Sequence, residues 1–168
     1  MSVLQPMHGY YLEDLTVGMA AVFGKTVTEA DIMAFAGVSG DTNPIHLHAD
    51  FAKASRFGER IAHGMLVLSY AVGLVPFDPE RVVALRRVGD VVFKRPVRLG
   101  DTLRVNGKVM ETTDVGEDAG LVAFAWSVVN QDDRVVTRAK VEVLWRRDGA
   151  AQEFDDAYAV NGFVPIPL

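Results

Sequence analysis

Two side chains that can move protons, Asp41 and His46, stand five residues apart in the run Ser-Gly-Asp-Thr-Asn-Pro-Ile-His. In an α-helix only residues three or four apart share a face, so this spacing does not suit a regular helix. Pro44 removes a backbone donor and disfavours helical geometry at Asn43. We therefore expect a bend that aims the carboxylate and the imidazole at one point, with Thr42 and Asn43 orienting the carboxylate.

Proton transfer is the chemistry that this pair suggests, because a carboxylate is a base and histidine gives and takes protons near neutrality. His63 and Gly64 follow and open a strongly apolar run. The first turn of a helix has unpaired N–H groups at the positive end of its dipole, and a glycine lets an oxygen approach closely. Gly64 is therefore predicted to bind an oxyanion, with His63 in a supporting or capping role.

Each of these residues alone has an ordinary structural explanation. Asp41 alone fits a turn or a helix cap, and Gly64 alone fits close packing. The combination Gly-Asp-x-Asn-Pro-x-His, followed by His-Gly and an apolar helix, is far less expected by chance. It favours a functional interpretation of Asp41 and His46.

A metal site is a competing interpretation. The run His46-Leu47-His48-Ala49-Asp50 has the His-x-His-x-Asp spacing of metallo-β-lactamase-like hydrolases, where such residues bind zinc. The next position is Phe51, however, and the chain has four histidines and no cysteine, so a two-metal site lacks ligands. We expect no metal and no cofactor. Two interpretations of Lys94 and Arg95 remain open. Either they form a solvated edge, or they contact the phosphates of a large ligand.

Length and composition predict a single soluble globular domain, since the 168 residues are 49% hydrophobic and 23% charged. A net charge of −5 argues against a nucleic-acid partner. The longest apolar stretch, residues 65–77, is too short to cross a bilayer, so no membrane partner is expected. The sequence does not start like a secretion signal, and the absence of cysteine fits a reducing cytoplasm.

Hydrophobic periodicity predicts the elements that must position the pair. A strand over 20–27 precedes a helix that Thr28 and Asp31 begin with a capping box and Gly37 ends. One or two helical turns at 49–54 precede a helix from 65 to 74 that is apolar all round and hence buried. Alternating segments at 82–93, 103–109, 121–130 and 134–147 predict an antiparallel sheet. A helix wrapped by this sheet is an α+β fold, with a core over about 10–147 and an irregular tail at 148–168.

Two runs, Phe35 to His46 and Ile61-Ala62-His63-Gly64-Met65, resemble the MaoC-like or hydratase-2 family, the (R)-specific enoyl-CoA hydratases. Phe93-Lys94-Arg95-Pro96-Val97 with Gly100-Asp101 is similar to that family's strand and turn after the helix. The resemblance covers most of residues 10–147. It implies a hot-dog fold, in which an antiparallel sheet wraps a long central helix, and a homodimer.

The same resemblance implies a function and its residues. Asp41 and His46 would be the catalytic pair, Asn43 and His63 would support them, and the Gly64 amide would bind a thioester oxygen. The implied reaction is the reversible syn addition of water to a trans-2-enoyl thioester carried by CoA or acyl-carrier protein, as in fatty-acid metabolism. The alternatives are a hot-dog acyl-CoA thioesterase and a non-catalytic module that binds acyl thioesters.

Overall fold

Five strands form one antiparallel sheet within residues 11–17, 20–75 and 77–149, which are the residues that the structure, a computed structural model, describes. The strands are β1 (Ala20–Thr26), β2 (Val82–Phe93), β3 (Thr102–Asp114), β4 (Ala119–Val129) and β5 (Val135–Arg146). Their order across the sheet is β1-β3-β4-β5-β2, so β1 and β2 are the outer strands. All pairings are antiparallel, and short turns join β3 to β4 and β4 to β5, as the alternating sequence predicted.

Four α-helices and one short 3-10 helix complete the described part of the chain. They are α1 (Glu29–Ser39), α2 (Pro44–Leu47), α3 (Ala49–Ala54), α4 (Gly64–Leu74) and the 3-10 helix Leu12–Asp14. None of the helices in this part is long and apolar enough to cross a membrane. Three of them follow one another between β1 and α4, so Asp41, Asn43, His46 and His63 lie on one helical connection. Gly64 begins α4, and Lys94 and Arg95 follow β2.

The core lies between α4 and the inner face of the sheet. Leu66, Val67 and Ala71 of α4 are buried in the same cluster as Trp126 of β4 and Trp145 of β5. Burial of apolar side chains between these two layers stabilises the fold, at roughly 25 cal/mol per Å² of apolar surface. The predicted α+β architecture is therefore confirmed.

Two details of the predicted helices are wrong. Helix α1 begins with the predicted capping box but continues through Gly37 and ends at Ser39, because the chain turns at Gly40 with φ = 75°. Helix α4 is not buried all round: Met65 is 56% exposed, since the sheet of one chain covers only part of the helix surface.

The domain boundaries remain predictions. The strands lie within about three residues of the predicted segments, apart from β3, which runs on to Asp114 through an irregularity in its pairing with β4. Residues 150–168 of the predicted tail lie outside the described residues.

Candidate active site

The predicted bend lies between α1 and α2. Gly40 ends α1 in a left-handed conformation, and the Asn43 side chain caps α2 by accepting a hydrogen bond from the Ile45 N–H at 3.1 Å. Pro44 occupies the first position of α2, where the missing N–H has no helical partner to lose. The chain is thus bent at residues 40–43, but His46 belongs to a one-turn helix rather than to the bend itself.

The carboxylate of Asp41 and the imidazole of His46 face each other, as predicted from their spacing. Asp41 Oδ2 and His46 Nε2 are 4.0 Å apart, which is too long for a direct hydrogen bond. The backbone N–H of Asn43 donates to Asp41 Oδ1 at 3.2 Å and helps to orient the carboxylate. The Asp41 side chain is 50% exposed whereas His46 is largely buried. A small hydroxylic group could therefore bond to both residues at once.

A backbone carbonyl determines the tautomer of His46. Its Nδ1 lies 2.8 Å from the carbonyl oxygen of Ile61, and a carbonyl oxygen only accepts, so Nδ1 carries the proton. In the neutral ring the Nε2 lone pair then faces Asp41 and can accept a proton. The local structure thus presents His46 as a base at the atom nearest the carboxylate.

His63 connects the start of α4 to the bend at residues 40–43. It is 1% exposed, and its Nε2 donates a hydrogen bond to the backbone carbonyl of Asp41 at 2.9 Å. Its ring lies over that of His46, with centroids 3.8 Å apart, and its centroid is 5.1 Å from that of Phe35. His63 occupies the N-cap position of α4 without capping the helix through its side chain. These contacts hold Asp41 and His46 in place and fit the predicted supporting role.

Gly64 is the first residue of α4, and its N–H bonds to no other described residue. The structure adds a second reason for the glycine, because an aromatic ring lies against the space that a Cβ would occupy. A Cβ built on Gly64 would lie 3.0 Å from two carbons of the Phe93 ring. Phe93 ends β2 and is 48% exposed. The absence of a side chain at Gly64 therefore makes room for Phe93, while the N–H stays free to bind an oxygen.

A pocket of about 380 Å³ lies beside His46 and Gly64, but Asp41 is not among the residues that line it. His46 and Gly64 line it, with apolar walls that include Ile61, Val67 and Val97. Apolar walls around a few polar groups are typical of a small-molecule site.

Three cations also line this pocket. Lys94 and Arg95 are two of them, so the structure brings these predicted residues to the same cavity as His46. The third, Arg56, was missed by the sequence analysis. It lies 5.4 Å from the ring centroid of Phe57, and this cation–aromatic pair in the turn after α3 was the available signal.

Two places among the described residues carry side chains that could bind a metal ion. His48 Nδ1 accepts a hydrogen bond from the Phe51 N–H and caps α3, so the His-x-His-x-Asp spacing serves a helix start there. Asp41, His46 and His63 have potential ligand atoms within 4.8 Å of one another. However, His63 Nε2 donates to the backbone carbonyl of Asp41, so this nitrogen is not free to bind an ion. This donor set fits an acid–base pair better than a metal site.

Comparison with known proteins defines the class of fold and then the family. The structure superposes with a TM-score of 0.70 on a Mycobacterium tuberculosis protein described as a double hot-dog fold, at 20% identity over 95% of this chain and 52% of that one. This is the hot-dog fold that was predicted. Residues 16–130 match the MaoC like domain, and the chain belongs to that family.

Relatives with named activities lie closer in sequence. An (R)-specific enoyl-CoA hydratase of Rhodospirillum rubrum is 40% identical over 94 residues, which are 56% of this chain and 65% of that protein. The structure of the R-hydratase PhaJ1 of Pseudomonas aeruginosa is similar with a TM-score of 0.70 and 33% identity, over 81% of this chain and 85% of that one. The chain thus matches 65% of the length of the R. rubrum hydratase.

Proposed function

We propose that this protein is an (R)-specific enoyl-CoA hydratase, a lyase that adds water reversibly to a trans-2-enoyl thioester. The observation that carries the proposal is the approach of Asp41 Oδ2 to within 4.0 Å of Nε2 of His46, which lines the same pocket as Gly64. The named activities of the relatives from R. rubrum and P. aeruginosa support the same reaction.

The geometry supports a mechanism in which Asp41 and His46 act as a pair. A water molecule between the carboxylate and Nε2 loses a proton as its oxygen bonds to C3 of the enoyl group. The pair returns a proton to C2, so that one molecule of water is added overall. Negative charge that develops on the thioester oxygen is stabilised by the free N–H of Gly64.

Isosteric substitutions test the pair. Asp41→Asn removes the carboxylate charge and His46→Gln removes the titratable ring, and each should lower kcat for crotonyl-CoA hydration by about 10²–10⁴-fold. Loss of the enoyl absorbance measures the rate. Asp50→Asn, an exposed carboxylate on α3, is the matched control and should keep wild-type turnover. Near-normal hydration by Asp41→Asn and His46→Gln would contradict the assignment.

The two alternative functions give different readouts in the same assay. A thioesterase would release free thiol without hydrating the double bond. A binding module would turn over no member of an enoyl-CoA panel of graded chain length. Product stereochemistry from that panel also tests the (R)-specificity.

The protein acts as a homodimer in this proposal, and the outer strand β2 supports it. The Leu85 side chain is registered opposite the fully buried Val143 of β5, yet it is 38% exposed. The apolar face of the sheet thus continues to the unpaired edge of β2, where a second copy of the chain can cover it. The cytoplasmic location and a role in fatty-acid metabolism stay predictions.

A further inference from the structure

We infer that the Thr137 hydroxyl is a second hydrogen-bond donor to the thioester oxygen, beside the N–H of Gly64. This inference rests on the proposed hydratase function and adds to it a catalytic residue from strand β5. Thr137 lines the same pocket as His46 and Gly64. Among the residues that line this pocket, only His46 and Thr137 carry uncharged polar side chains.

Thr137 is a hydroxyl residue on an otherwise apolar face of the sheet. Alternate residues of a strand share a face, so Thr137 points to the same side as Ala139, Val141 and Val143 of β5. Those three residues belong to the buried core, and Thr137 itself is 2% exposed. Packing alone therefore gives no reason for a hydroxyl at this position, where a valine would have almost the same shape.

The Thr137 hydroxyl has no protein partner in the described part of the chain. Its Oγ1 forms no hydrogen bond with another described residue, and it is not sealed within the core as His63 Nδ1 is. Because Thr137 lines the pocket, its hydroxyl opens on the pocket surface. A buried hydroxyl without a partner costs free energy of folding, and such groups are rare in native proteins. The opening on this pocket assigns the missing partner to the substrate.

Phe93 places Thr137 on the same side of the pocket as the Gly64 amide. Thr137 is registered directly opposite Phe93 of β2, and the side chains of such a pair are neighbours on one face of the sheet. The Phe93 ring in turn lies against the position of a Cβ on Gly64. Val67, one turn after Gly64 on α4, also lines the pocket, so this face of the helix is turned towards the sheet. The hydroxyl and the amide thus border one aromatic ring from two elements.

Two donors suit the charge that the proposed reaction develops. When the water oxygen bonds to C3, negative charge moves to the thioester oxygen, and donors that already point there stabilise it without reorganisation. A threonine hydroxyl has one O–H donor, which serves here without giving up its proton. The proton balance of the reaction therefore remains with Asp41 and His46.

Substitutions that remove only the hydroxyl test this role. Thr137→Val should lower kcat for crotonyl-CoA hydration by about 10²-fold, the effect that loss of an oxyanion donor has. KM should stay as it is, because the contact strengthens only as charge develops. Thr137→Ser keeps the hydroxyl and should recover most of the rate. Thr137→Ala differs from Thr137→Ser only by the hydroxyl, so this second pair decides the question if valine is not tolerated.

Urea unfolding separates a loss of rate from a loss of fold. Thr137→Val should unfold at a urea midpoint no lower than that of the wild type, because it removes a buried hydroxyl that has no protein partner. Thr112→Val is the matched control, since it makes the same change at an exposed position on β3 that does not line the pocket. It should keep wild-type turnover.

Infrared spectroscopy of a bound thioester detects the contact directly. Butyryl-CoA with a carbon-13 label at its carbonyl has no double bond to hydrate, so it reports on binding without turnover. A hydrogen bond to the carbonyl oxygen weakens the C=O bond, and its stretching band should lie at a lower frequency in the wild type than in Thr137→Val. Thr137→Ser should restore the wild-type frequency.

Three outcomes would overturn the inference. They are equal kcat in Thr137→Val and the wild type, a rate in Thr137→Ser as low as in Thr137→Ala, and the same carbonyl band in Thr137→Val and the wild type. In each of them, hydration of crotonyl-CoA by the wild type still supports the proposed function. That function fails when the wild type hydrates no enoyl thioester, and the infrared comparison then still tests the hydroxyl.

Discussion

Gly64 and Phe93 show how one contact governs the proposed oxyanion site. The Phe93 ring lies against the position of the missing Cβ of Gly64, and the ring also lines the pocket of His46 and Gly64. The ring therefore forms the surface beside the amide that a thioester oxygen must reach. If position 64 is a glycine because the Phe93 ring needs that space, then Phe93 acts as a positioning residue for the Gly64 amide.

A double-mutant cycle tests this dependence of Gly64 on Phe93. Gly64→Ala should lower kcat by about tenfold or more, because the new Cβ would lie 3.0 Å from the Phe93 ring and the ring or the amide must shift by a few tenths of an ångström. Adding Phe93→Ala should recover at least about tenfold of that loss, since the clash is gone. Hydration of crotonyl-pantetheine is the measurement. If Gly64→Ala stays equally impaired without the ring, the glycine is required by the substrate oxygen itself.

At the scale of single elements, helix α1 shows how a local sequence signal fixes a start but not an end. Thr28 and Asp31 form both hydrogen bonds of the capping box, at 3.3 Å and 2.8 Å. Burial opposes the ionised form of Asp31, but hydrogen bonds from Thr28 and Lys25 outweigh it and hold the pKa of the carboxyl well below its usual range.

The lowered pKa of Asp31 predicts a pH-dependent contribution to stability. The ionised carboxylate stabilises the native state above its unfolded pKa of about 3.9, and this is lost as the pH falls towards the lower native pKa. Asp31→Asn should therefore lower the free energy of unfolding at pH 7, and the difference from the wild type should shrink in acid. Urea unfolding at several pH values measures it.

Thr28→Ala is the companion variant, because it keeps the carboxylate but loses the hydroxyl of the cap. It should cost about 1 kcal/mol of unfolding free energy. A difference between Asp31→Asn and the wild type that is the same at pH 7 and in acid would show that the Asp31 charge contributes nothing.

At the scale of the whole molecule, the outer strand β2 leaves apolar side chains uncovered at the edge of the sheet. Strand β2 is twelve residues long and carries exposed apolar side chains at Leu85, Val92 and Phe93. Phe93 lies at the catalytic pocket, so a second copy on this edge would also alter the surroundings of the site. Assembly and activity are expected to be coupled for this reason.

Leu85→Lys tests the proposed dimer. The wild type should have a mass of about twice 18.3 kDa in light scattering coupled to size exclusion. Placing a lysine at this edge in both copies should raise the dissociation constant by about tenfold or more. Met110→Lys, at an exposed apolar position on the inner strand β3, is the control. A monomeric wild type, or the same mass for both variants, would contradict the proposal.

Much of the fold and of the site follows from signals within a few residues of one another. The capping box, the proline at the start of α2 and the alternation of the later strands each depend on backbone geometry that a short segment decides. The approach of Asp41 to His46 is local too, because one bend between them brings the two side chains together. The sequence by itself therefore determined that Asp41 and His46 lie close together, and it determined most of the elements around them.

Tertiary structure decided the features that join distant segments. Phe93 meets Gly64 and Arg56 reaches the pocket of Lys94 only because β2 returns beside the start of α4. Helix α1 continues past Gly37, where a Cβ would meet nothing within 4 Å. It ends at Ser39, after which the chain brings the backbone carbonyl of Asp41 to His63. Such contacts depend on the packing of layers, and local propensity carries no information about which side chains that packing brings together.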